Sequence, residues 1–592
     1  MATEIIMPKN GMDMKEGVLI RWLVEIGDKV EKGDPIMEIE TDKVTMESES
    51  PATGVILAKY YDEGVTIPVL KTIGYIGKEG EPVPETAPDA ELDRFVAETP
   101  RDDVAVNVSN VLQAEPKDTV IASGAKQSSD LKEYDYDVAV IGGGPAGYVA
   151  AIKAAQLGGK VILFEKDVVG GTCLNRGCIP TKTYIRTAEY IEHIKRASER
   201  GIINDPAASV DMPKVVSHKN QVVSALTGGV ASLLKSNNVT VINGIASAKS
   251  ANEVECENIV YTAGSIILCG GSVPGMPPIP GIDHKAVITS NEILDFTVLP
   301  DELIILGGGV IGCEIACAFN AFGVNVTIVE MLPNLVANMG KKVSETIEKA
   351  LIKSGIKVYK DTKVTGIKDD NGKPVVVCET LELTADAVLS ATGRIADLEC
   401  LGALKDKIKC DRGIVIVNEK METNITGVYA AGDLTGGMML AHSAFAMAET
   451  AAANAMGGNV SCNLNVVPSG LYTMPEAAAV GLDEEAAKEK AGENLRVGFF
   501  PMTANGRSLA SGEYTGFVQV MVDIEFCEIL GVRIVAADAV EMIAEPAALM
   551  AIEVTADEVA DGIIHAHPTY TEAFMEACAD ALGRCIHLPM KR

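Results

Sequence analysis

An internal repeat limits the folds that this chain can adopt. Residues 135–166 read DYDVAVIGGGPAGYVAAIKAAQLGGKVILFEK, and residues 301–331 repeat the pattern as DELIILGGGVIGCEIACAFNAFGVNVTIVEM. Each copy has an apolar run, a glycine-rich turn, an amphipathic stretch and a second apolar run, which is typical of a strand, a helix and a parallel strand. Since such units stack helices on a parallel sheet, the sequence predicts an α/β fold with two of them.

Both turns have the spacing G-x-G-x-x-G, which is weak on its own but stronger between a strand and a helix. The first glycine allows a tight turn, the second lets the backbone approach a pyrophosphate, and the third lets the helix pack on the strand. The candidate dinucleotide-binding residues are Gly142, Gly144 and Gly147 in the first copy and Gly307, Gly309 and Gly312 in the second. Glu165 and Glu330 end the second strands; each either binds a ribose or merely ends a strand, and the match in both copies favours ribose.

Two cysteines lie shortly after the first copy, in GGTCLNRGCIPTK at residues 170–182. The spacing of Cys173 and Cys178 suits a disulfide that opens and closes during catalysis. A metal site would need further ligands, and no second cluster of cysteine or histidine accompanies the pair in the sequence, so we expect no metal. Two inert buried thiols are the other alternative, which the flanking glycines, Pro180 and Lys182 disfavour.

The composition argues against two classes of partner. The formal net charge is −31, and no segment concentrates the basic residues that a nucleic-acid surface needs. Charged residues interrupt the apolar runs before these reach membrane-spanning length, and the start of the chain lacks the features of a signal peptide. We therefore expect a soluble, cytoplasmic protein that binds neither nucleic acid nor membrane, and its 592 residues predict several domains.

The first part of the chain has a different character. Residues 1–77 alternate short apolar and polar stretches between regularly spaced glycines, which predicts a small all-β domain. Residues 78–132 are rich in proline, small and acidic residues, which cannot readily bury a core. We expect a flexible tether there, with an end-to-end distance on the order of 40 Å. A short helix at 89–97 that docks a partner is an open alternative within it.

Taken in order, these features resemble the flavoprotein disulfide reductases, and among them the dihydrolipoamide dehydrogenases, over residues 133–592. The resemblance implies an FAD-binding domain at 133–280 and an NAD-binding domain at 281–395. It further implies a central domain at 396–465 that completes the FAD site, and an α+β dimerisation domain at 466–592.

The resemblance also implies roles for single residues. Cys173 would exchange with the substrate, and Cys178 would face the flavin. Lys182 would lie near the flavin ring in an ion pair with Glu314. The other residues that it implies for FAD are Gly142, Gly144, Gly147, Glu165, Asp433 and Ala441, and those for NAD are Gly307, Gly309, Gly312, Glu330 and Gly393.

The segment HAHPTYTE near the C-terminus carries the candidate base for this exchange. Disulfide exchange proceeds through a thiolate, so a group with a pKa near neutrality must take up the substrate's proton. Glu572 follows His567 by five residues and could hold its imidazole, as in other acid-supported histidine bases. His565 is the alternative. The resemblance favours His567, and it implies a homodimer in which the base serves the disulfide of the other subunit.

Two places depart from the pattern of the family. Tyr570 stands where leucine is common. Ile395, Ala396 and Asp397 follow Arg394 in place of the usual basic residue, proline and asparagine. Because neither change removes a reacting group, we expect differences only in the dimer face and the nicotinamide pocket.

The segment IETDKVTME at residues 39–47 resembles the exposed hairpin of lipoyl domains. In that family the lysine of the hairpin, here Lys43, carries a lipoyl group in amide linkage. Biotinyl domains share the fold but flank their lysine with methionines, whereas Asp42 and Val44 stand here. The resemblance therefore implies a covalent lipoyl group on Lys43.

The two resemblances imply one enzyme. It would oxidise dihydrolipoyl groups through the disulfide and FAD to NAD⁺, as the E3 component beside E1 and E2 of a 2-oxoacid or acetoin dehydrogenase complex. A reductase of the glutathione or mercuric type is the enzymatic alternative, against which Glu330 and the absence of cysteines before Cys173 argue. A non-catalytic lipoyl carrier is the alternative from another class, and retention of Cys178 and His567 argues against it.

Overall fold

The computed structural model describes residues 2–7, 16–40, 45–61, 63–68, 71–78, 80–84, 134–203 and 208–589. The chain divides into two compact units, Met1–Lys126 and Gln127–Arg592. Most of the predicted tether at 78–132 lies outside the described residues, and so do the candidate helix at 89–97 and Lys43.

The described part of the smaller unit consists of strands and loops. The strands are β1 (Thr3–Ile6), β2 (Glu16–Trp22), β3 (Lys29–Val30), β4 (Pro35–Glu40), β5 (Thr45–Glu49), β6 (Gly54–Lys59), β7 (Val65–Pro68) and β8 (Thr72–Gly77). They form antiparallel sheets with the orders β1-β8-β6-β3 and β5-β4-β2-β7. Because side chains alternate between the faces of a strand, both sheets contribute Leu19, Ile39 and Ile56 to one buried core. The all-β prediction for this region is confirmed.

The first repeat opens the larger unit. Its elements are β9 (Tyr136–Ile141), α1 (Pro145–Gln156), β10 (Val161–Glu165), α2 (Gly171–Arg176), α3 (Cys178–Arg196), α4 (Met212–Ser236), β11 (Thr240–Asn243), β12 (Ala246–Ser250), β13 (Glu253–Cys256), β14 (Ile259–Leu268) and β15 (Ser272–Pro274). Its main sheet has the order β11-β10-β9-β14-β13-β12, and β9 pairs in parallel with β10 and β14. All residues of β10 are buried, as expected for a parallel strand covered on both faces.

The second repeat builds another parallel sheet. Its elements are β16 (Val287–Ile288), α5 (Ser290–Ile293), β17 (Glu302–Leu306), α6 (Val310–Ala321), β18 (Asn325–Val329), α7 (Lys341–Lys353), β19 (Lys357–Tyr359), β20 (Val364–Asp370), β21 (Lys373–Cys378), β22 (Glu382–Thr384), β23 (Ala387–Ser390) and β24 (Arg394–Ala396). The parallel sheet has the order β16-β23-β17-β18-β19, while β20, β21 and β22 form an antiparallel sheet beside it.

A connecting segment then returns the chain to the first sheet. Its elements are β25 (Cys410–Asp411), β26 (Ile414–Val415), β27 (Val428–Ala430) and α8 (Ala441–Ala455). Strand β27 pairs in parallel with β14, and α8 packs against α1. As a result, Ala441 at the N-terminus of α8 lies on the same side of the sheet as the first glycine turn.

The last part of the chain forms a mixed layer of strands and helices. Its elements are β28 (Ser469–Leu471), β29 (Glu476–Gly481), α9 (Glu484–Ala491), β30 (Leu495–Pro501), α10 (Gly506–Ser511), β31 (Phe517–Asp523), β32 (Glu528–Ala536), α11 (Ala539–Met542), α12 (Ala544–Ala551), α13 (Ala556–Gly562) and α14 (Glu572–Ala581). Its antiparallel sheet has the order β28-β29-β32-β31-β30. Helix α14 packs on β30 and β31 and buries Phe574 and Ala577.

The larger unit therefore has the α/β architecture that the repeat predicts, followed by a mixed α and β layer. Within the described residues, no helix is both long and apolar enough to cross a membrane.

Candidate active site

A cavity of about 1890 Å³ in the larger unit brings most of the predicted site residues together. Its lining includes Gly142, Gly144, Glu165, Cys173, Cys178, Lys182, Gly307, Gly309, Glu314, Glu330, Gly393, Asp433 and Ala441. Among the described residues, Gly147 and Gly312 lie outside the lining because each faces the first glycine of its own turn, and His567 and Glu572 also lie outside it.

The first glycine turn has the close contacts that only glycine permits. Gly142 has φ +100°, and a Cβ there would lie 2.2 Å from the carbonyl oxygen of Cys269. A Cβ on Gly147 would lie 1.6 Å from the carbonyl oxygen of Gly142. At Gly144, in contrast, the nearest atom to a Cβ would be 3.7 Å away. The turn thus packs tightly against the protein at its first and third glycines and leaves space at the second, directly before α1, where a pyrophosphate fits.

The second turn repeats these features. Gly307 has φ +105°, and a Cβ there would lie 2.6 Å from the carbonyl oxygen of Ala391. A Cβ on Gly312 would lie 2.1 Å from the carbonyl oxygen of Gly307, whereas a Cβ on Gly309 would have no atom within 4 Å. Gly393, with φ +122°, borders the same part of the cavity. The residues present therefore fit a second dinucleotide.

The glutamates that end the two second strands are tied to these turns. Glu165 accepts hydrogen bonds from the N–H groups of Gly143 at 2.6 Å and Asp167 at 2.8 Å, one on each oxygen. Glu330 accepts a hydrogen bond from the N–H of Gly308 at 2.6 Å in the equivalent way. Each carboxylate oxygen has a second lone pair, so these backbone contacts fix the carboxylates without preventing them from accepting ribose hydroxyls.

Cys173 and Cys178 face each other across a break between two helices. Cys173 lies in α2 and Cys178 is the first residue of α3. Gly177 separates the helices with φ −139° and ψ −112°, and a Cβ there would lie 2.9 Å from the carbonyl oxygen of Thr172. The glycine between the cysteines therefore allows the turn that brings the two thiols together at the cavity wall.

The surroundings of the two thiols make them unequal. Both are free thiols in this structure. The hydrogen bond from Cys173 lowers the pKa of Cys178 to about 7, and the positive charge of Lys182 acts in the same direction. The same hydrogen bond raises the pKa of Cys173 far above its ordinary value. Cys178 also occupies the N-terminus of a long helix, whose dipole favours a thiolate.

An ion pair joins the helices of the two repeats beside the thiols. The Lys182 Nζ atom on α3 lies 2.9 and 2.8 Å from the two carboxylate oxygens of Glu314 on α6. The Glu314 side chain is only 3% exposed, and it also accepts the N–H of Tyr472 at 3.0 Å. The Tyr472 ring lies under Lys182, with Nζ 4.5 Å from its centroid. Since a buried pair contributes little net stability, its main effect is to fix the lysine at the cavity.

Asp433 belongs to a series of hydrogen-bonded polar side chains that extends to Thr172. The Ser272 hydroxyl donates to Asp433, and the Arg394 Nε–H donates to Ser272 at 2.7 Å. Arg394 also reaches the Thr172 hydroxyl at 3.3 Å, next to Cys173. These hydrogen bonds hold the Asp433 carboxylate at the cavity wall, where it could accept hydrogen bonds from the hydroxyl groups of a ligand.

The predicted base lies on the protein surface. The Nδ1 atom of His567 lies 2.8 Å from the carboxylate of Glu572, and the His567 side chain is 76% exposed. Burial would raise the pKa of Glu572, but the N–H of Thr569 and the His567 ring together hold it below its ordinary value. The contact with Glu572 leaves Nε2 of His567 directed away from the carboxylate and available to a proton donor.

His565 has different surroundings from His567. Its side chain is 5% exposed, and Nε2 lies 2.7 Å from Glu545. This hydrogen bond raises the pKa of His565. A buried imidazole with this partner lacks the access to solvent that His567 has.

Family models match nearly the whole of the described chain. The family described as pyridine nucleotide-disulphide oxidoreductase matches residues 136–448, and its dimerisation domain matches residues 467–578. The chain belongs to the pyridine nucleotide-disulphide oxidoreductases. A third model, described as biotin-requiring enzyme, matches residues 3–76, so this oxidoreductase carries an N-terminal domain of the biotinyl and lipoyl type.

Curated relatives narrow the similarity within the family. The chain is 40% identical to a dihydrolipoyl dehydrogenase of Thermus scotoductus and 38% identical to one of Bacillus subtilis. Each alignment covers 76% of this chain and 99% of the relative. A mitochondrial dihydrolipoyl dehydrogenase of Caenorhabditis elegans is 38% identical, with 75% of this chain and 92% of the relative covered.

Solved structures of this oxidoreductase family share the fold. The HOCl-induced flavoprotein disulfide reductase RclA from Escherichia coli has a TM-score of 0.68 and 27% identity, covering 75% of this chain and 99% of that chain. LpdA from Mycobacterium tuberculosis has a TM-score of 0.69 and 25% identity with the same coverage.

The strands that flank the predicted lipoyl lysine are present in this oxidoreductase. β4 ends at Glu40 and β5 begins at Thr45, and these two residues pair in antiparallel register. Lys43 stands between them in the sequence and lies outside the described residues.

Tyr472 and Ser272 contact the site of this oxidoreductase, but the sequence alone does not indicate them. Tyr472 contacts the lysine–glutamate pair, and Ser272 connects Arg394 to Asp433. Both lie far in sequence from the residues that they contact and belong to no short motif. A conserved pattern across relatives would be the signal needed to find them.

Proposed function

We propose that this chain is a dihydrolipoyl dehydrogenase, which oxidises protein-bound dihydrolipoyl groups and delivers the electrons to NAD⁺. The observation that carries the proposal is the pair Cys173 and Cys178 at a helix N-terminus, in a cavity lined by two glycine turns. Relatives with this name, 36 to 40% identical over most of the chain, support the same conclusion.

The cofactors follow from the two turns. FAD would be held by Gly142, Gly144, Gly147, Glu165, Lys182, Asp433 and Ala441, and NAD by Gly307, Gly309, Gly312, Glu330 and Gly393. The chemistry that these groups would supply when bound is electron acceptance from the thiol pair by FAD and hydride acceptance by NAD⁺. The ion pair between Lys182 and Glu314 joins α3 to α6, so it would keep the two cofactor sites in a fixed relation.

The thiol chemistry can be followed on the residues of this chain. A substrate thiolate attacks the sulfur of Cys173 in the oxidised pair, a mixed disulfide forms, and Cys178 leaves as a thiolate. A lowered pKa makes Cys178 the better leaving group, which fits its pKa of about 7. The second substrate thiolate then attacks the substrate sulfur, which releases Cys173 and closes the cyclic disulfide of the product.

His567 supplies the proton transfer that this exchange needs. Each attack requires a deprotonated substrate thiol, and Nε2 of His567 is the acceptor that we propose, with Glu572 holding Nδ1. His567 lies outside the lining of its own cavity. The match to a dimerisation domain supports a homodimer, and we propose that each subunit's base serves the disulfide of the other.

We further propose how the rest of the chain is used. Lys43 carries a lipoyl group, residues 78–132 are its tether, and tethering raises the effective concentration of that group at the cavities. The core divides into an FAD-binding domain at 133–280, an NAD-binding domain at 281–395, a central domain at 396–465 and a dimerisation domain at 466–592. The enzyme is cytoplasmic and works with E1 and E2 of a 2-oxoacid or acetoin dehydrogenase complex.

Substrate comparison tests the proposal against the other reductases. We expect NADH formation from dihydrolipoamide and NAD⁺, measured at 340 nm, to exceed by far the reduction of oxidised glutathione or Hg²⁺ by NADPH. A faster reaction with either of those two substrates would overturn the assignment. An inactive protein that retains the flavin would instead favour a non-catalytic lipoyl carrier.

A further inference from the structure

A surface segment contacts the loop that carries His567. We call residues 505–513 the strap; it contains α10 and the turn that follows it. Asn505 is 3% exposed, its carboxamide oxygen accepts the N–H of Ser508, and its Nδ2 donates to the carbonyl oxygen of Thr569 at 2.9 Å. One buried side chain therefore caps the strap helix and holds the loop of the base.

The contact at Thr569 continues to the base itself. The N–H of Thr569 donates to Glu572 at 2.8 Å, and the other oxygen of Glu572 lies 2.8 Å from Nδ1 of His567. A continuous series of hydrogen bonds thus runs from Asn505 through Thr569 and Glu572 to the imidazole. A shift of the strap would therefore be passed to the Glu572 carboxylate and, through it, to the direction of Nε2 of His567.

Tyr570 makes a second contact with the strap. Its hydroxyl donates to the Ser511 Oγ atom at 2.7 Å, and Ser511 in turn donates to the carbonyl oxygen of Ser508. The Arg507 guanidinium lies over the Tyr570 ring, 5.8 Å from its centroid. Leucine, which is common at this position in the family, has no hydroxyl group and could make neither polar contact.

The far end of the strap is fixed to the helix that begins at Cys178. The Arg196 guanidinium donates to the carbonyl oxygen of Gly512 at 3.0 Å. Nε2 of His193 lies 3.1 Å from the carboxylate of Glu513. Arg200, in the turn that follows this helix, lies 3.5 Å from the carbonyl oxygen of Ala510. The strap is therefore held on a rigid element as well as on the loop that it contacts.

We propose that the strap positions the base, with Tyr570 and Asn505 as positioning residues for His567. The inference rests on the proposed function, because it assigns these residues to the proton transfer of dithiol oxidation. An exposed histidine on a loop has many orientations, and a general base works only within hydrogen-bond reach of its proton. Even a 1 Å displacement of such a group costs a large part of its effect.

The test compares dihydrolipoamide oxidation, which needs the base, with NADH oxidation by ferricyanide, which does not. Tyr570→Phe removes only the hydroxyl, and Asn505→Ala removes the contact with Thr569. For each variant we expect kcat for dihydrolipoamide oxidation to fall roughly 2- to 10-fold, the range for one lost hydrogen bond, with KM little changed. NADH oxidation by ferricyanide, which bypasses the dithiol, should stay at the wild-type rate.

Matched variants identify the bond that matters. Ser511→Ala should lower kcat for dihydrolipoamide oxidation as much as Tyr570→Phe does, whereas Ser511→Thr retains the hydroxyl and should keep the wild-type kcat. The double variant Tyr570→Phe with Ser511→Ala should be no slower than either single change, because both changes remove the same hydrogen bond. Tyr514→Phe is the control, because that tyrosine is 49% exposed and next to the strap.

The outcomes distinguish this proposal from the proposed function. Unchanged dithiol kinetics in Tyr570→Phe and Asn505→Ala, or equal losses in the dithiol and ferricyanide reactions, would overturn the positioning role while leaving the enzyme assignment intact. A wild-type protein that does not oxidise dihydrolipoamide would overturn the proposed function, and the strap proposal with it.

Discussion

At the scale of single residues, the hydrogen bond between Cys173 and Cys178 determines which sulfur is the thiolate. It lowers the pKa of Cys178 and raises that of Cys173. Lys182 adds a smaller effect in the same direction on Cys178, while Glu314 opposes it. In the proposed exchange, Cys178 would therefore be the sulfur that leaves, and Cys173 would be the one that receives the substrate.

Replacing Cys173 by alanine removes the largest cause of the low pKa of Cys178. We expect the pKa of Cys178 to rise from about 7 toward the ordinary value of about 8.5, measured by the pH dependence of iodoacetamide alkylation of the reduced protein. Cys173→Ser keeps a hydrogen-bond donor and should give a smaller rise. Burial raises the pKa of the accessible thiols that would otherwise compete for the reagent, namely Cys410, Cys462, Cys527 and Cys585. An unchanged midpoint in Cys173→Ala would contradict this account.

We propose that the choice between NAD⁺ and NADP⁺ depends on Glu330. Its carboxylate would accept ribose hydroxyls but would repel a 2′-phosphate by on the order of 1 to 4 kcal/mol per pair of unit charges about 4 Å apart. We expect NAD⁺ to be strongly preferred over NADP⁺ in kcat/KM, and Glu330→Arg to narrow or reverse the preference. Glu330→Gln is the control that removes the charge and keeps a hydrogen-bond acceptor. Its ratio of kcat/KM with NAD⁺ to kcat/KM with NADP⁺ should lie between those of the wild-type protein and Glu330→Arg. Equal efficiency of the two nucleotides in the wild-type protein would disprove the role.

At the scale of elements, the sequence predicts the strands and helices that local hydrophobic periodicity and glycine spacing specify. The repeat predicts β9, α1 and β10 and their second copies, because period and glycine spacing are local properties. The break at Gly177 between α2 and α3 is not predicted, since cysteine spacing alone leaves the helix boundaries open. Contacts such as Tyr472 with Lys182 also require the assembled fold, because the two residues are far apart in the chain.

The first glycine turn gives a prediction at this scale. Gly142→Ala would combine left-handed strain with a Cβ 2.2 Å from a carbonyl oxygen, so we expect a loss of about 3 kcal/mol or more in stability and of most of the bound FAD. Gly158 has φ +90° and no atom within 4 Å of a Cβ, so Gly158→Ala isolates the strain alone, about 1 to 2 kcal/mol. Thermal unfolding and the ratio of flavin to protein absorbance measure both effects. Similar values for the two variants would show that the close contact is unimportant.

At the scale of the whole molecule, the chain combines a redox core with a domain of the lipoyl type. The order of motifs predicts which domains the redox core contains. It does not predict that β27 pairs with β14 or that β29 pairs with β32. Those pairings join distant segments and follow from how apolar surfaces assemble, which periodicity alone does not specify. The sequence indicates His567 because HAHPTYTE is a local motif, but it does not indicate the contacts between the loop of His567 and the strap.

The lipoyl domain gives a prediction for the assembled complex. Lys43→Arg keeps the charge but cannot form the amide, so oxidation of free dihydrolipoamide should be unchanged while flux through a reconstituted dehydrogenase complex falls. The E2 lipoyl lysine must be blocked in the same assay, since it could replace the missing group. Deletion of residues 1–80 should have the same effect, because it leaves the core from 133 onward intact. Full flux in both variants would show that this domain is not the carrier.

Anaerobic reduction of the bound flavin by dihydrolipoamide tests the central claim most directly. In the wild-type protein the flavin absorbance should bleach within the time of a few turnovers. Cys178→Ser should bind FAD normally, because the glycine turn is intact, but lose dithiol-driven bleaching, because no disulfide remains to receive the electrons. Bleaching of Cys178→Ser at near the wild-type rate would contradict the assignment of Cys173 and Cys178 as the redox pair.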